Sequence, residues 1–460
     1  MSQHFDAVVI GTGQGGSPLA VRLAQSGRKT AVIERHLFGG TCVNVGCTPT
    51  KTYVASARAA YVARHAAEYG VMIAGDVRID MARVKARKDE VIGQSRNGVE
   101  KWLRDTPNMT VFTGHARFTG PHAIRIDGND GQQHDLQADT VFINTGTRPT
   151  IPDIDGIERI SYLTNSTLLD LTEVPEHLVI VGGSYIALEF AQMFRRFGSR
   201  VTVLVRGKRV LVREDADFAE SVQAVLAKEG VEFRFGGEPT RLEPFGNGVR
   251  ITLNEATIDA SHLLFATGRQ PNTDDLGLDA AGLATDKHGL IEVDGQLRTK
   301  VEGIWAIGDV NGRGAFTHTS YNDFEVVAAN LLDGEARSVD TRIMTYAVFV
   351  DPPFARVGMS ESEVRAAGLD ALIARMPMSR VGRARERGET DGFMKALVDA
   401  KTKRILGAAI HGIEGDEAIH TFVDIMNAGA PYTTLQQAMH IHPTVSELIP
   451  TLLGMLKPLK

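Results

Sequence analysis

The sequence predicts an α/β protein with two Rossmann-like dinucleotide-binding domains and an α+β domain at its C-terminal end. Two observations carry the Rossmann part. A strand, a Gly-rich turn, a helix, a second strand and an acid follow one another from Ala7 to Glu34, and that unit recurs at an offset of 171 residues, from Leu178 to Val205. A third observation, short strand-like runs such as Ala396–Asp399 and Leu406–His411 flanking helices after about residue 336, predicts the α+β segment.

Ala7-Val8-Val9-Ile10 is an apolar, mostly β-branched run, followed by Gly11-Thr12-Gly13-Gln14-Gly15-Gly16 and a helical stretch to about Ser26. Thr30 to Ile33 reads as the next strand and ends in Glu34. Gly11 permits the tight turn, Gly13 lets the backbone approach a pyrophosphate, and Gly16 lets helix and strand pack closely. The helix N-terminus offers free N–H groups to phosphate oxygens, and Glu34 can accept from a ribose hydroxyl.

In the second unit Gly182 takes the place of Gly11, Ser184 that of Gly13, Ala187 that of Gly16 and Val205 that of Glu34. Two such units in one chain imply an electron path between two cofactors. Where the first has a ribose-binding acid, the second has Val205 followed by Arg206, Lys208, Arg209 and Arg213. A missing carboxylate with arginine beside it suits a 2′-phosphate, hence NADPH rather than NADH. Ser184 departs from the glycine expected for close pyrophosphate approach.

At 460 residues the chain has material for about three domains. A hydrophobic share of 43%, a charged share of 23% and a net charge of -6 give no basic footprint for nucleic acid. No apolar run approaches the roughly 18 residues of a membrane span. The strand at Ala7 begins almost at once, so no signal peptide is expected. With no spare cysteines for structural bridges, a reducing cytoplasm is the expected compartment.

Both cysteines lie in Gly39-Gly40-Thr41-Cys42-Val43-Asn44-Val45-Gly46-Cys47-Thr48-Pro49-Thr50-Lys51. In an unbroken α-helix their spacing would separate the Cα atoms by about 8.6 Å. A disulfide needs roughly 4.4–6.8 Å. The pair can close only if the chain bends, as Gly46 and Pro49 allow near a helix start. Spacing alone leaves two readings, a reducible redox pair and two unrelated buried thiols. A closed zinc site lacks the four ligands it requires, so no metal site is expected.

The same thirteen residues resemble the redox-active disulfide of the flavin-dependent pyridine nucleotide-disulfide oxidoreductases, a family that includes lipoamide dehydrogenase, glutathione reductase and mercuric reductase. The resemblance implies FAD in the first unit, with Thr41 beside it, Lys51 near the flavin ring, Cys47 against the flavin and Cys42 further out as the thiol that meets substrate. It extends along the chain. Gly114-His115-Ala116, read as following a strand at Thr110–Thr113, matches a position where backbone groups, Ala116 among them, meet the adenine. Thr145 and Gly146 lie in the turn that leaves the FAD domain, with Asn144 in place of the family's alanine. Tyr185 would lie over the flavin and move aside for the nicotinamide, Ile186 beside it would also bind cofactor, and Glu189 would pair with Lys51 near the reactive flavin nitrogen. Gly268 lies in the second exit turn. Asp309 would bind a ribityl hydroxyl, and Thr317 begins a helix that caps the flavin pyrimidine.

From about Ala336 the chain resembles the family's dimerisation domain. His442, before a proline and five residues ahead of Glu447, matches the His–Glu dyad that serves the partner subunit's disulfide. A histidine titrating near neutral pH can move the thiol proton while the glutamate fixes its tautomer. The basic run Arg380, Arg383, Arg385 and Arg387 reads as a solvated loop. Expected boundaries are 1–150 for the FAD domain, 151–271 for the NADPH domain, 272–335 for a return segment and 336–460 for the interface domain.

The resemblance implies a homodimeric enzyme passing electrons from NADPH through FAD and Cys42–Cys47 to a small disulfide. Dihydrolipoamide dehydrogenase, a mercuric or copper reductase and a non-catalytic flavin-binding partner are the alternatives. Mercuric reductase carries a further cysteine pair near its C-terminus and a tyrosine where this chain has His442. Neither feature is present here.

Overall fold

The computed structural model describes residues 2–254 and 256–460. β1 (Gln3–Ile10), α1 (Gly16–Gln25) and β2 (Thr30–Glu34) form the predicted first unit. Two short-range breaks then build the cysteine segment. α2 (Gly40–Asn44) ends before Val45, and α3 (Cys47–Arg64) begins a fresh helix at Cys47. The bend lies at Val45–Gly46, where a Cβ on Gly46 would come within 2.8 Å of Thr41 O. Pro49 does not make the bend; it sits inside the first turn of α3, where its missing N–H costs nothing.

α4 (Met81–Asp105) is capped by the Asp80 side chain, which accepts from Arg83 N at 2.9 Å. β3 (Met109–Gly120), β4 (Ala123–Gly128) and β5 (Gln133–Ile143) follow. β3, β2, β1 and β5 pair in parallel, and the late strand Ile304–Ala306 adds to β5. β4 joins the far end of β3 to the start of β5 in antiparallel pairing. Gly114, His115 and Ala116 are therefore ladder residues of β3, not a turn after a shorter strand. The period-2 burial of β3 carries that pairing straight through the glycine.

The second sheet is parallel, in the order His262–Phe265, His177–Val181, Arg200–Val205, Val231–Phe235. The central strand His177–Val181 is buried along its whole length because helices cover it, chiefly Tyr185–Phe197, whereas the edge strand Val231–Phe235 carries Glu232 and Arg234. The two exit turns meet in an antiparallel ribbon, Thr147–Pro149 against Arg269–Pro271.

The third sheet is antiparallel, in the order Thr345–Val348, Phe354–Gly358, Ile405–His411, Phe393–Asp399, Ala371–Pro377, Lys457–Pro458. The runs near 396 and 406 form one hairpin with no helix between them, correcting the expected alternation. Arg383 and Arg387 are not a free solvated run either. Arg383 Nη2 donates to Pro443 O at 2.6 Å, and Arg387 Nη1 pairs with Glu414 Oε1 at 2.9 Å.

Buried charge ties the three sheets together. Arg196 Nη2 meets Glu229 Oε1 at 2.7 Å and its Nη1 meets Asp351 Oδ2 at 2.5 Å, while Arg58 of α3 meets the same Asp351 at 3.0 Å. No helix among the described residues is long and apolar enough to cross a membrane.

Candidate active site

A cavity of about 900 Å³ runs from the ends of β1 and β2 to the cysteine segment. Gly11, Gly13, Glu34 and Ala116 line one end; Thr41, Cys42, Cys47, Lys51 and Thr317 line the other. Thr145, Gly146 and Asp309 lie along its wall, and Tyr185, Ile186 and Glu189 reach it from the second sheet's first helix. Gly16, Gly182, Ser184, Arg206, Gly268, His442 and Glu447 do not line it.

The phosphate turn is held from behind. A Cβ on Gly11 would fall 2.4 Å from Asn144 O, and one on Gly182 would fall 2.3 Å from Ala266 O, so both repeats pack glycine against the exit turn. The Asn144 amide, oriented to match donors with acceptors, accepts from Gly16 N at 3.0 Å and Gly13 N at 3.3 Å and donates to Ile307 O at 3.2 Å. Sequence reading missed this role and treated Asn144 only as a departure from alanine.

Glu34 is fixed by Thr12, whose N and Oγ1 donate to Oε2 at 3.1 and 2.6 Å, and by His36 N at 2.9 Å on Oε1. Thr12 was also missed; its hydroxyl further accepts from Gly39 N at 3.2 Å, coupling the ribose end to the cysteine segment. Asp309 Oδ2 accepts from Thr147 Oγ1 at 3.0 Å, and burial holds its carboxyl above the usual range. Thr145 Oγ1 is buried with no protein partner. An elongated cavity, a glycine cradle, an acid at one end, a second acid along the wall and an orphaned hydroxyl fit a dinucleotide.

At the other end the two cysteines face each other as thiols. The neighbouring Cys42 thiol, with the Thr317 hydroxyl and the Lys51 charge, lowers Cys47 to about 6. The same proximity, together with burial, pushes Cys42 up. Thr317 Oγ1 stands 3.2 Å from Cys47 Sγ. Lys51 Nζ pairs with Glu189 Oε2 at 2.6 Å and lies 4.5 Å from the centre of the Phe349 ring. Glu189 is only 3% exposed, and its other oxygen accepts from Phe349 N at 2.8 Å. The Tyr185 ring rests 5.7 Å from that of Phe316, and burial raises its hydroxyl to about 12.

His442 and Glu447 form a pair of their own. Nδ1 meets the carboxylate at 2.9 and 3.1 Å, while the histidine side chain is 79% exposed. His115 Nε2 is bonded to Asp275 O at 3.1 Å, so its side chain is engaged within the fold. Apart from these, His4, Asp6 and Asp139 bring donor atoms within 4.8 Å at the surface, but His4 Nε2 is already on Asp139 at 3.0 Å.

Residues 5–323 match the family model for pyridine nucleotide-disulphide oxidoreductases, and residues 344–453 match that family's dimerisation domain. The chain belongs to this family. It is 38% identical over 457 residues to the probable pyridine nucleotide-disulfide oxidoreductase RclA of Escherichia coli, covering 98% of this chain and 99% of that protein. It is 32% identical to a mercuric reductase of Streptomyces lividans (97% of this chain, 94% of that protein). It is 31% identical to a dihydrolipoyl dehydrogenase of Chlamydia muridarum (97% and 96%). The structure superposes on the HOCl-induced flavoprotein disulfide reductase RclA from Escherichia coli with a TM-score of 0.90 at 37% identity, covering 98% of this chain and 100% of that one. It superposes on a Cu(II) complex of the same reductase with a TM-score of 0.91, at 37% identity and 99% and 100% coverage. This chain is an FAD-dependent oxidoreductase that links a nicotinamide nucleotide to a disulfide, and its dimerisation domain makes it a homodimer.

Proposed function

We propose that the enzyme takes electrons from NADPH in preference to NADH and delivers them to a small disulfide through Cys42 and Cys47. The observation that carries this reading is the placement of Cys42 and Cys47 at one end of the dinucleotide-shaped cavity, with Thr317 Oγ1 3.2 Å from Cys47 Sγ and the Lys51–Glu189 ion pair beside them. FAD supplies the two-electron relay between nucleotide and sulfur. Gly11, Gly13, Glu34, Thr41, Ala116, Thr145, Gly146, Asp309 and Thr317 would hold it, with Gly16 packing behind the turn. Gly182, Ser184, Tyr185, Ile186 and Gly268 would hold the nucleotide, with Arg206 on its 2′-phosphate. The domain limits 1–150 with 272–335, 151–271 and 336–460 belong to the same reading; the strand Ile304–Ala306, which adds to the first sheet, supports grouping the return segment with the first domain.

Lys51 and Glu189 keep a fixed ion pair beside Cys47, so the thiolate faces a cation whose position does not drift. In the substrate half-reaction the Cys42 sulfur attacks one sulfur of the disulfide, forming a mixed disulfide and expelling a thiolate. His442 of the partner subunit, oriented by its Glu447, would take the Cys42 proton and give it to that thiolate. The Cys47 thiolate then attacks the Cys42 sulfur of the mixed disulfide, re-forms the internal disulfide and expels the second half of the substrate as a thiolate, which takes its proton from solvent. General acid help of this kind is worth about 10²–10⁴-fold. The 79% exposure of His442 supports its serving another chain.

A second reading, a metal-ion reductase, is favoured by one finding, the Cu(II) complex of the similar reductase. Two cysteines in the whole chain argue for capture of a soft ion without a relay to release it. The deciding experiment measures NADPH oxidation by purified enzyme against oxidised glutathione, other small disulfides, lipoamide, Hg(II) and Cu(II). Turnover on a disulfide with stoichiometric inhibition by Hg(II) is expected. Sustained Hg(0) or Cu(I) production without disulfide turnover would replace this reading with the metal one.

A further inference from the structure

The basic turn after Val205 begins in solvent but is anchored in its middle. Its first charge stands in solvent, Arg206 being 84% exposed. Its middle is anchored: Val210 and Leu211 are buried in the apolar core against the helix Tyr185–Phe197. Leu211 N donates to Gly183 O at 2.8 Å, which ties the basic turn to the glycine turn. Leu211 holds a φ of 46°, a left-handed conformation that a bulky residue keeps only where its surroundings impose it.

Much of that restraint comes from the third sheet. Three acids follow Arg213 almost at once, and each is gripped from outside the second sheet. Glu214 receives Arg356 Nη1 at 3.3 Å and the Tyr346 hydroxyl. Asp215 accepts from Glu361 N and Ser362 N, both at 3.0 Å, and from Ser362 Oγ at 2.8 Å. Lys395, only 3% exposed, reaches Asp217 Oδ2 at 2.8 Å, Glu361 Oε2 at 2.9 Å and Asp215 Oδ2 at 3.4 Å. Its strand, Phe393–Asp399, and that of Arg356, Phe354–Gly358, both belong to the C-terminal sheet.

We propose that Lys395 and Arg356 are positioning residues for nucleotide selection: by clamping Glu214, Asp215 and Asp217, the C-terminal sheet fixes the basic turn where it meets the 2′-phosphate of NADPH. The proposal rests on the NADPH reading above. A turn that is already ordered loses little conformational freedom when phosphate binds, whereas a released turn must be ordered by the ligand and binds it more weakly. NADH has no 2′-phosphate to draw on the turn. Loosening the clamp therefore acts on one nucleotide and spares the other.

The test uses the FAD-loaded full chain and measures Kd for NADP⁺ and NAD⁺ separately, from flavin difference absorbance. Lys395→Met should raise the Kd for NADP⁺ by at least about fivefold, the low end of ordinary inter-site coupling, and leave NAD⁺ nearly unchanged. Lys395→Arg should stay near wild type. Asp217→Asn, which keeps Lys395 paired with Asp215 and Glu361, should move NADP⁺ in the same direction by a smaller factor, and it decides the matter if Lys395→Met loses FAD. Equal weakening of both nucleotides, or no change for NADP⁺ in either variant, overturns the proposal. Arg206→Ala separates it from its premise. If Arg206→Ala weakens NADP⁺ but the clamp variants do not, the clamp alone is refuted. If Arg206→Ala has no effect and wild type favours NADH, the NADPH reading falls and the clamp falls with it.

Discussion

Thr317→Val isolates one hydrogen bond on the sulfur that faces the cofactor. Thr317 Oγ1 lies 3.2 Å from Cys47 Sγ, and with Cys47 ionised the hydroxyl is the donor. Valine keeps the shape and removes the donor. A hydrogen bond to a charged group contributes about 1.5–3 kcal/mol. At the low end of that range the loss corresponds to about one pKa unit, since about 1.4 kcal/mol is one unit. Losing a donor destabilises the thiolate and raises the pKa, here from about 6 to about 7. At pH 7 the thiolate share should then fall from roughly nine-tenths to about half. The assay follows, against pH, the long-wavelength charge-transfer absorbance between Cys47 and flavin in the two-electron-reduced enzyme. A midpoint that stays put, or moves down, would refute the assignment of Thr317 as a donor to this sulfur.

Other outcomes follow from the same geometry. Cys42→Ser should show the charge-transfer band in the oxidised enzyme because Cys47 is left unpaired, and Cys47→Ser should lack it; absorbance spectra showing the reverse would exchange the two roles. His442→Ala should leave flavin reduction by NADPH fast in stopped flow while disulfide turnover drops by about 10²-fold or more; a fully active monomeric wild type would contradict it. Arg196→Met removes the cation between Glu229 and Asp351, and urea unfolding should register a loss of about 3 kcal/mol, since Glu229 remains half-buried without its ion-pair partner while Asp351 keeps Arg58; an unchanged midpoint would mean that the pair adds nothing.

Local chemistry made much of the site legible in sequence. The glycine turn, Glu34, the cysteine spacing and the second unit each depend on residues within about thirty positions, and each is where sequence placed it. The cysteine bend was legible too, although steric contact with Thr41 O assigns it to Gly46 and not to Pro49. Glycine at 114 misled the reading of β3, because a ladder partner in β4 holds the strand together across a residue that usually ends one.

What the sequence by itself determined is the set of chemical parts: two nucleotide-binding units, one sulfur pair and a basic turn without an acid. Tertiary structure decided how these parts meet, including the Glu189–Lys51 pair that family resemblance, not local pattern, had implied. Asn144 bridging the phosphate turn to Ile307, Thr317 on Cys47 and Glu189 on Lys51 join residues 128 to 270 positions apart and leave no periodic trace. The clamp on residues 214–217 is of the same kind. Nothing local marks its acids; only the third sheet brings them around the buried Lys395, where a low dielectric strengthens their pairing.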